Sequence, residues 1–211
     1  MAVYGHTLSL RDLFDDSPTP HIAHPPRTHH RDFYVATDGS FSKESGAGGL
    51  GAIIETRDGQ RVGRLSVPDG RVPDNNIAEY RALHLGLDVL ADRAPNSARV
   101  GVLVDHDDLA ANVNNAVLAA RHPDWKPPRP FSVPYEARHH WRGIRARISG
   151  FEELRAAKIR SRDNPAHTLA NAPDQYAHVN RELDRCLLPD PAPEPSPQFP
   201  PPSRANRHAG D

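Results

Sequence analysis

The sequence predicts an α/β domain that opens with an antiparallel meander. Three observations carry this. Residues 33–37 (FYVAT), 49–55 (GLGAIIE) and 58–67 (DGQRVGRLSV) are strand-like runs joined through glycine-containing turns. Residues 78–91 (AEYRALHLGLDVLA) change period and place Glu79, Leu83, Leu87 and Leu90 along one helical face. Residues 99–105 (RVGVLVD) then read as a buried strand ending in an acid, followed by a helical run over 107–120.

Taken in order, the elements have local reasons. The first strand is apolar and delivers Asp38 as it ends; the Asp58-Gly59 turn leads into the third strand. Asn75 and Asn76 suit either capping of the 78–91 helix or contacts outside it. Within 107–120, Leu109, Val113, Ala116 and Val117 align, and Asp107 and Asp108 sit favourably at the positive end of the helix dipole. Five prolines over 121–134 predict a long loop. Trp141, Ile144 and Ile148 then recur at helical spacing, interrupted by Gly143, with core support as the leading role of Trp141. Residues 155–161 predict the last strand, and Asn164-Pro165 a helix start with Asn as cap and Pro first; Pro173 kinks that helix or begins another ending near Leu188.

Length and composition bound the rest. The chain has 211 residues, room for one ordinary domain with tails. Residues 1–30 are expected as a flexible N-terminal extension, and 31–188 as the folded domain. Eight of the 22 prolines fall in 189–202, so 189–211 is expected as a disordered tail, open to a protein partner whose identity is unknown. A formal charge of −1 excludes global attraction to nucleic acid and leaves only local basic surface. The single cysteine, Cys186, excludes an internal disulfide framework and a Cys-rich zinc module. With neither an apolar span nor a secretory signal over residues 1–10, the expectation is a soluble, cytoplasmic monomer without membrane contact.

Asp38 after the first strand, Glu79 in the first turn of a helix and Asp105 after the fourth strand are far apart in sequence. They meet if the first and fourth strands are parallel neighbours. Such a cluster calls for a cation, and hard oxygen ligands favour Mg²⁺ or Mn²⁺. Two such ions roughly 3.5 to 4 Å apart suit phosphodiester hydrolysis.

TDGS (37–40), the GAGGLGAII hairpin (46–54), NNIAEYRAL (75–83), VLVD (102–105) and SRDNPAHTLAN (161–171) together resemble the type 1 ribonuclease H family across 33–188. The resemblance implies a ribonuclease H-like fold: a mixed five-stranded sheet, its first three strands antiparallel, flanked by helices. It also implies two Mg²⁺ or Mn²⁺ ions and hydrolysis of the RNA strand of an RNA/DNA hybrid to 5′-phosphate and 3′-hydroxyl ends. Asp38 corresponds to the first aspartate of the family, Glu79 to its glutamate and Asp105 to its third acid, with Asp107 as the alternative register. His167 stands where the family has its last aspartate. It is either a metal ligand or a proton-handling group, since imidazole exchanges protons near neutrality. Asp163 and Asp174 are spare acids nearby.

The substrate backbone requires cations. Residues 121–160 carry ten Lys or Arg against four acids, a formal +6. Lys126, Arg138, Arg142 and Arg145, with Trp125, are the candidate grip, and the location resembles the basic projection of some family members. Gly39, Ser40 and Asn76 are candidate contacts to the substrate backbone or 2′-hydroxyls after the family pattern. Two alternatives follow from His167: a ribonuclease H-like nuclease with altered substrate preference, or a hybrid-binding module without hydrolysis.

Overall fold

The structure, a computed structural model, describes residues 8–18, 31–70, 74–127 and 130–176. Its centre is a five-stranded sheet of order β3-β2-β1-β4-β5. β1 (Phe33–Phe41), β2 (Gly48–Thr56) and β3 (Arg61–Asp69) are antiparallel; β4 (Arg99–Val104) lies parallel to β1, and β5 (Glu153–Lys158) parallel to β4. The mixed sheet expected from the sequence is therefore the one observed. No helix among the described residues is long and apolar enough to cross a membrane.

Local deviations from the sequence reading have physical reasons. β1 does not end at Thr37: pairing with β2 continues to Phe41, so Asp38 sits inside the strand opposite Gly51. Helix α2 (Asn75–Ala91) is capped by Asp74, whose carboxylate accepts from Ile77 N at 3.0 Å, which removes Asn75 and Asn76 from the capping role. β5 begins two residues earlier than expected because its pairing with β4 starts at Arg99 and Glu153.

One face of the sheet packs against α2, α3 (Asp107–Arg121) and α4 (Arg138–Ile148) through Val35, Ile54, Leu83, Leu87, Val102, Leu109 and Ile144, all fully buried. Each such aliphatic side chain contributes on the order of 2 kcal/mol by leaving water. Trp141 belongs to this core, edge-on to Tyr80 at 6.0 Å and tilted against Phe131 at 5.7 Å. Asn114 of α3 closes the outer side of β5 at one residue, its amide exchanging two 2.8 Å hydrogen bonds with the Ala156 backbone.

The other face corrects the expectation of a flexible extension for residues 8–18 alone, residues 1–7 and 19–30 lying outside the described residues. Within it, residues 10–15 form helix α1 (Leu10–Asp15), started by a Ser9 capping box. Leu10 and Phe14 are buried there, Phe14 lying edge-on to Tyr34 at 5.6 Å. Leu10 N donates to Glu55 Oε2 at 3.0 Å, and Lys158 N donates to Pro18 O at 2.9 Å. These two apolar residues cover sheet surface that would otherwise be wet. α5 (His167–Asn171) packs on this face through Leu169, with Ala166 just before it, and α6 (Pro173–Tyr176) follows. The expected helix end near Leu188, Cys186 and the tail over 189–211 lie outside the described residues.

Candidate active site

The acids meet because of the parallel pairing. Ala36 of β1 faces Leu103 of β4 in their last registered pair, and Asp38 and Asp105 each lie two residues further on. A period of two brings them to equivalent positions at the carboxyl end of both strands. Gly39 supplies the third acid. A Cβ at this position would overlap the Ala78–Glu79 peptide, 2.5 Å from Ala78 O, so only glycine lets the first turn of α2 press onto β1. The Gly39 N–H donates to the Glu79 carboxylate.

Asp38, Glu79 and Asp105 consequently each bring a carboxylate oxygen within 4.8 Å of the others. Asp38 and Glu79 are each 2% exposed, and Glu79 Oε2 has no hydrogen-bond partner. Burial, then the charge of Asp105, pushes Asp38 up to about 7, while His167 pulls the other way. Burial, followed by Asp105 and Asp38, raises Glu79 well above the usual carboxylate range. Three crowded acids with an orphaned oxygen, and oxygen as the donor atom throughout, fit a hard divalent cation. Asp107 points elsewhere: it is exposed and pairs with Lys158 at 2.6 Å. The structure thus brings Asp105, and not Asp107, into the cluster.

His167 approaches from the opposite face of the sheet, its Nδ1 3.2 Å from Asp38 Oδ2 and its ring about half exposed. The loop bearing it is pinned by Asn164, which is buried. Asn164 Nδ2 donates to Thr37 O at 2.9 Å, next to Asp38 in sequence, and Asn164 Oδ1 accepts from Ala166 N at 3.1 Å. The expected cap is corrected here: Ala166 precedes α5, and Asn164 ties it to β1 instead. Asn171 adds a bond to the His167 carbonyl at 2.9 Å. Asn164 was visible only as an Asn-Pro pair; its bond to β1 spans 127 residues of chain. Asp163 sits in a 3-10 turn before α5, and Asp174 in α6.

The expected substrate contacts divide. Ser40 Oγ donates to Ala170 O at 2.7 Å and accepts from Gly49 N at 2.9 Å, joining β1 and β2 to α5. Asn76 is exposed at the start of α2, and its Oδ1 lies 2.8 Å from His106 Nε2. His106 Nδ1 accepts from Leu109 N and caps α3, so the ring proton sits on Nε2 and donates to Asn76. Arg138, Arg142 and Arg145 form an exposed row at i, i+4 and i+7 on α4, lining a groove of about 370 Å³ with Trp141, Ala146 and Ser149. Arg138 also stacks on Tyr135, 74% exposed, with 4.8 Å between guanidinium carbon and ring centre. Trp125 is half-buried and Lys126 exposed in the preceding loop. These five residues lie on α4 and the loop before it, not on the elements that carry the acids.

Comparison with known proteins agrees with this architecture. A family described as reverse transcriptase-like matches residues 36–124. The N-terminal ribonuclease H domain of a Mycobacterium tuberculosis protein, solved as a fusion with maltose-binding protein, is 24% identical, with TM-score 0.51 over 65% of this chain and 95% of that one. Ribonuclease H1 of the halophilic archaeon Halobacterium salinarum is 22% identical, with TM-score 0.52 over 68% and 97%. LC11-RNase H1 in complex with an RNA/DNA hybrid is 21% identical, with TM-score 0.51 over 69% and 99%. No curated protein sequence matches significantly. The chain has the ribonuclease H fold and is similar to type 1 ribonucleases H.

Proposed function

We propose that this ribonuclease H-fold chain is a divalent-metal-dependent endonuclease that hydrolyses the RNA strand of RNA/DNA hybrids, leaving 5′-phosphate and 3′-hydroxyl ends. The observation that carries the reading is the convergence of Asp38, Glu79 and Asp105 within 4.8 Å at the end of two parallel strands. The hybrid as substrate is supported by the likeness to LC11-RNase H1, whose structure contains one.

Asp38, Glu79 and Asp105 would hold Mg²⁺ or Mn²⁺, with His167 as fourth group. Two such ions supply activation of water and charge neutralisation at the leaving oxygen. The chain itself fixes the donors: Gly39 N–H orients Glu79, and Asn164 holds the His167 loop beside Asp38. In the alternative to ligation, His167, half exposed and 3.2 Å from Asp38, would take or return a proton at the rim. The Arg138, Arg142 and Arg145 row supplies cations for the phosphates of the duplex, with Trp125 and Lys126 on the adjoining loop.

The test is cleavage of a labelled hybrid with Mg²⁺ and with Mn²⁺. Both the parent and His167→Asp should cleave, and Asp38→Asn should lose at least about a thousandfold in rate. Failure with both ions, or cleavage that survives Asp38→Asn, overturns the proposal. His167 in place of a carboxylate favours one second reading, altered substrate preference. Parallel assays on double-stranded and single-stranded RNA distinguish it, a preference for either over hybrid deciding for it.

A further inference from the structure

We propose that His84, His140 and His139 form a second metal site, for an imidazole-seeking divalent transition ion of the Zn²⁺ type, which clasps the Arg-bearing helix α4 onto α2. The site is separate from the acids. It lies where α2 and α4 pack together, and its ligands are nitrogen where those of the acids are oxygen.

The geometry is close to what such an ion needs. His84 Nδ1 and His140 Nδ1 face each other at 3.2 Å. Two imidazole nitrogens each about 2.1 Å from a tetrahedral ion stand about 3.4 Å apart. The three ring centres are 5.4, 5.5 and 6.4 Å apart, against about 5 Å for rings sharing one such ion. Among the described residues only the acidic trio converges to within 4.8 Å, so His139, which is exposed, must turn its ring to bring in the third nitrogen.

The surroundings are those of a ligand and not of a chance contact. Asp88 Oδ2 lies 3.2 Å from His84 Nε2 and is held in turn by Arg147. The carboxylate lies beside Nε2 outside hydrogen-bond geometry, and a turn of the His84 ring would bring it into the arrangement in which carboxylates orient metal-binding histidines. Burial, helped by neighbouring cations, pushes His84 and His140 down to about 4, so both rings are neutral, the form that binds metal. The nearby cations are themselves paired, Arg147 with Asp88 and Arg81 with Asp69. Gly143 makes room for the His84 ring between α2 and α4. It weakens α4 by roughly 1 kcal/mol relative to alanine, yet a Cβ there would strike the His84 ring, 2.5 Å from Cε1. The helix tolerates glycine where the imidazole must seat.

The experiment uses the full chain carrying Asp38→Asn, Glu79→Gln and Asp105→Asn, which silences the acidic cluster, titrated with Co²⁺ and then Zn²⁺. One equivalent of Co²⁺ should give the strong visible absorption of tetrahedral coordination, bleached by Zn²⁺, and Zn²⁺ should raise the melting temperature. Adding His140→Gln, at a half-buried position, should weaken Co²⁺ binding about 100-fold and abolish the thermal shift, while Asp88→Asn should weaken it about tenfold. Binding elsewhere on the chain persists in the His140→Gln protein and cancels in the comparison. Absence of the tetrahedral absorption, or Co²⁺ affinities within about threefold in the two proteins, overturns the proposal.

Discussion

Asp38→Asn should stabilise the metal-free protein while removing the proposed nuclease activity, and the pH dependence shows why the stability rises. The unfolded chain releases the Asp38 proton near 3.8, and the folded one near 7, because burial and the Asp105 charge oppose ionisation. The folded state therefore binds the extra proton across that window, and stability falls as pH rises through it. Below 3.8 there is no penalty; above 7 it is complete, at about 4 kcal/mol. Asparagine keeps the shape and carries no charge. Its loss is the contact with His167, on the order of 1 kcal/mol. Urea unfolding with chelator at pH 4, 6 and 8 should find the two proteins nearly equal at pH 4. The variant should be about 3 kcal/mol more stable at pH 8. Mn²⁺ at 100 times its dissociation constant should return about 2.7 kcal/mol to the parent and much less to the variant. Parallel pH curves for the two proteins, or a variant less stable at pH 8, would refute the reasoning.

Three further outcomes follow. Gly39→Ala should push α2 back by about 1 Å, since carbon contacts begin near 3.4 Å; it should lose about a hundredfold in hybrid cleavage and 1 to 3 kcal/mol in urea unfolding. Unchanged kinetics would show that Gly39 does not set the position of Glu79. Phe14→Ala should destabilise by about 3 kcal/mol, and a loss below about 1 kcal/mol would mean that α1 is not part of the folded unit. His84 and His140 titrate lower in the folded chain, near 4 against an ordinary 6.5, so their contribution is present above pH 6.5 and lost as pH falls toward 4. His140→Gln should flatten that acid limb by about 2 kcal/mol in unfolding curves taken with chelator.

The parts of the site legible in the sequence are those whose signal is local. An apolar strand followed by an acid shows Asp38 and Asp105, and a helical period shows Glu79 in a first turn. The choice between Asp105 and Asp107 was not local, because both follow the same strand; it needed Lys158, on β5, to draw Asp107 away. α1 was hidden for a similar reason. Leu10 and Phe14 are sparse in a polar stretch, and only Tyr34 and Glu55, far along the chain, make burying them favourable. Asn164 read as a cap because its real partner, Thr37 O, is contributed by another strand. The pairing of His84 with His140 spans 56 residues and leaves no period at all.

The position of His167 is fixed from the protein side alone. A side chain at the end of a short helix would ordinarily be free to drift from a buried carboxylate. Here Ser66 Oγ holds Leu169 O at 2.6 Å, Ser40 Oγ holds Ala170 O at 2.7 Å, and Asn164 holds the approach to α5. Each bond ends on backbone, so none is lost when the charges at the cluster change. α2 reaches the same acids from the other face, seated by Gly39 and joined to α3 through Asn76 and His106. Both faces of the sheet thus constrain the groups around Asp38 before any cation arrives. The cost of burying Asp38, with the repulsion from Asp105 added, is set against that framework and not relieved by movement, which is why its release by Asp38→Asn, less the His167 contact, should appear as stability.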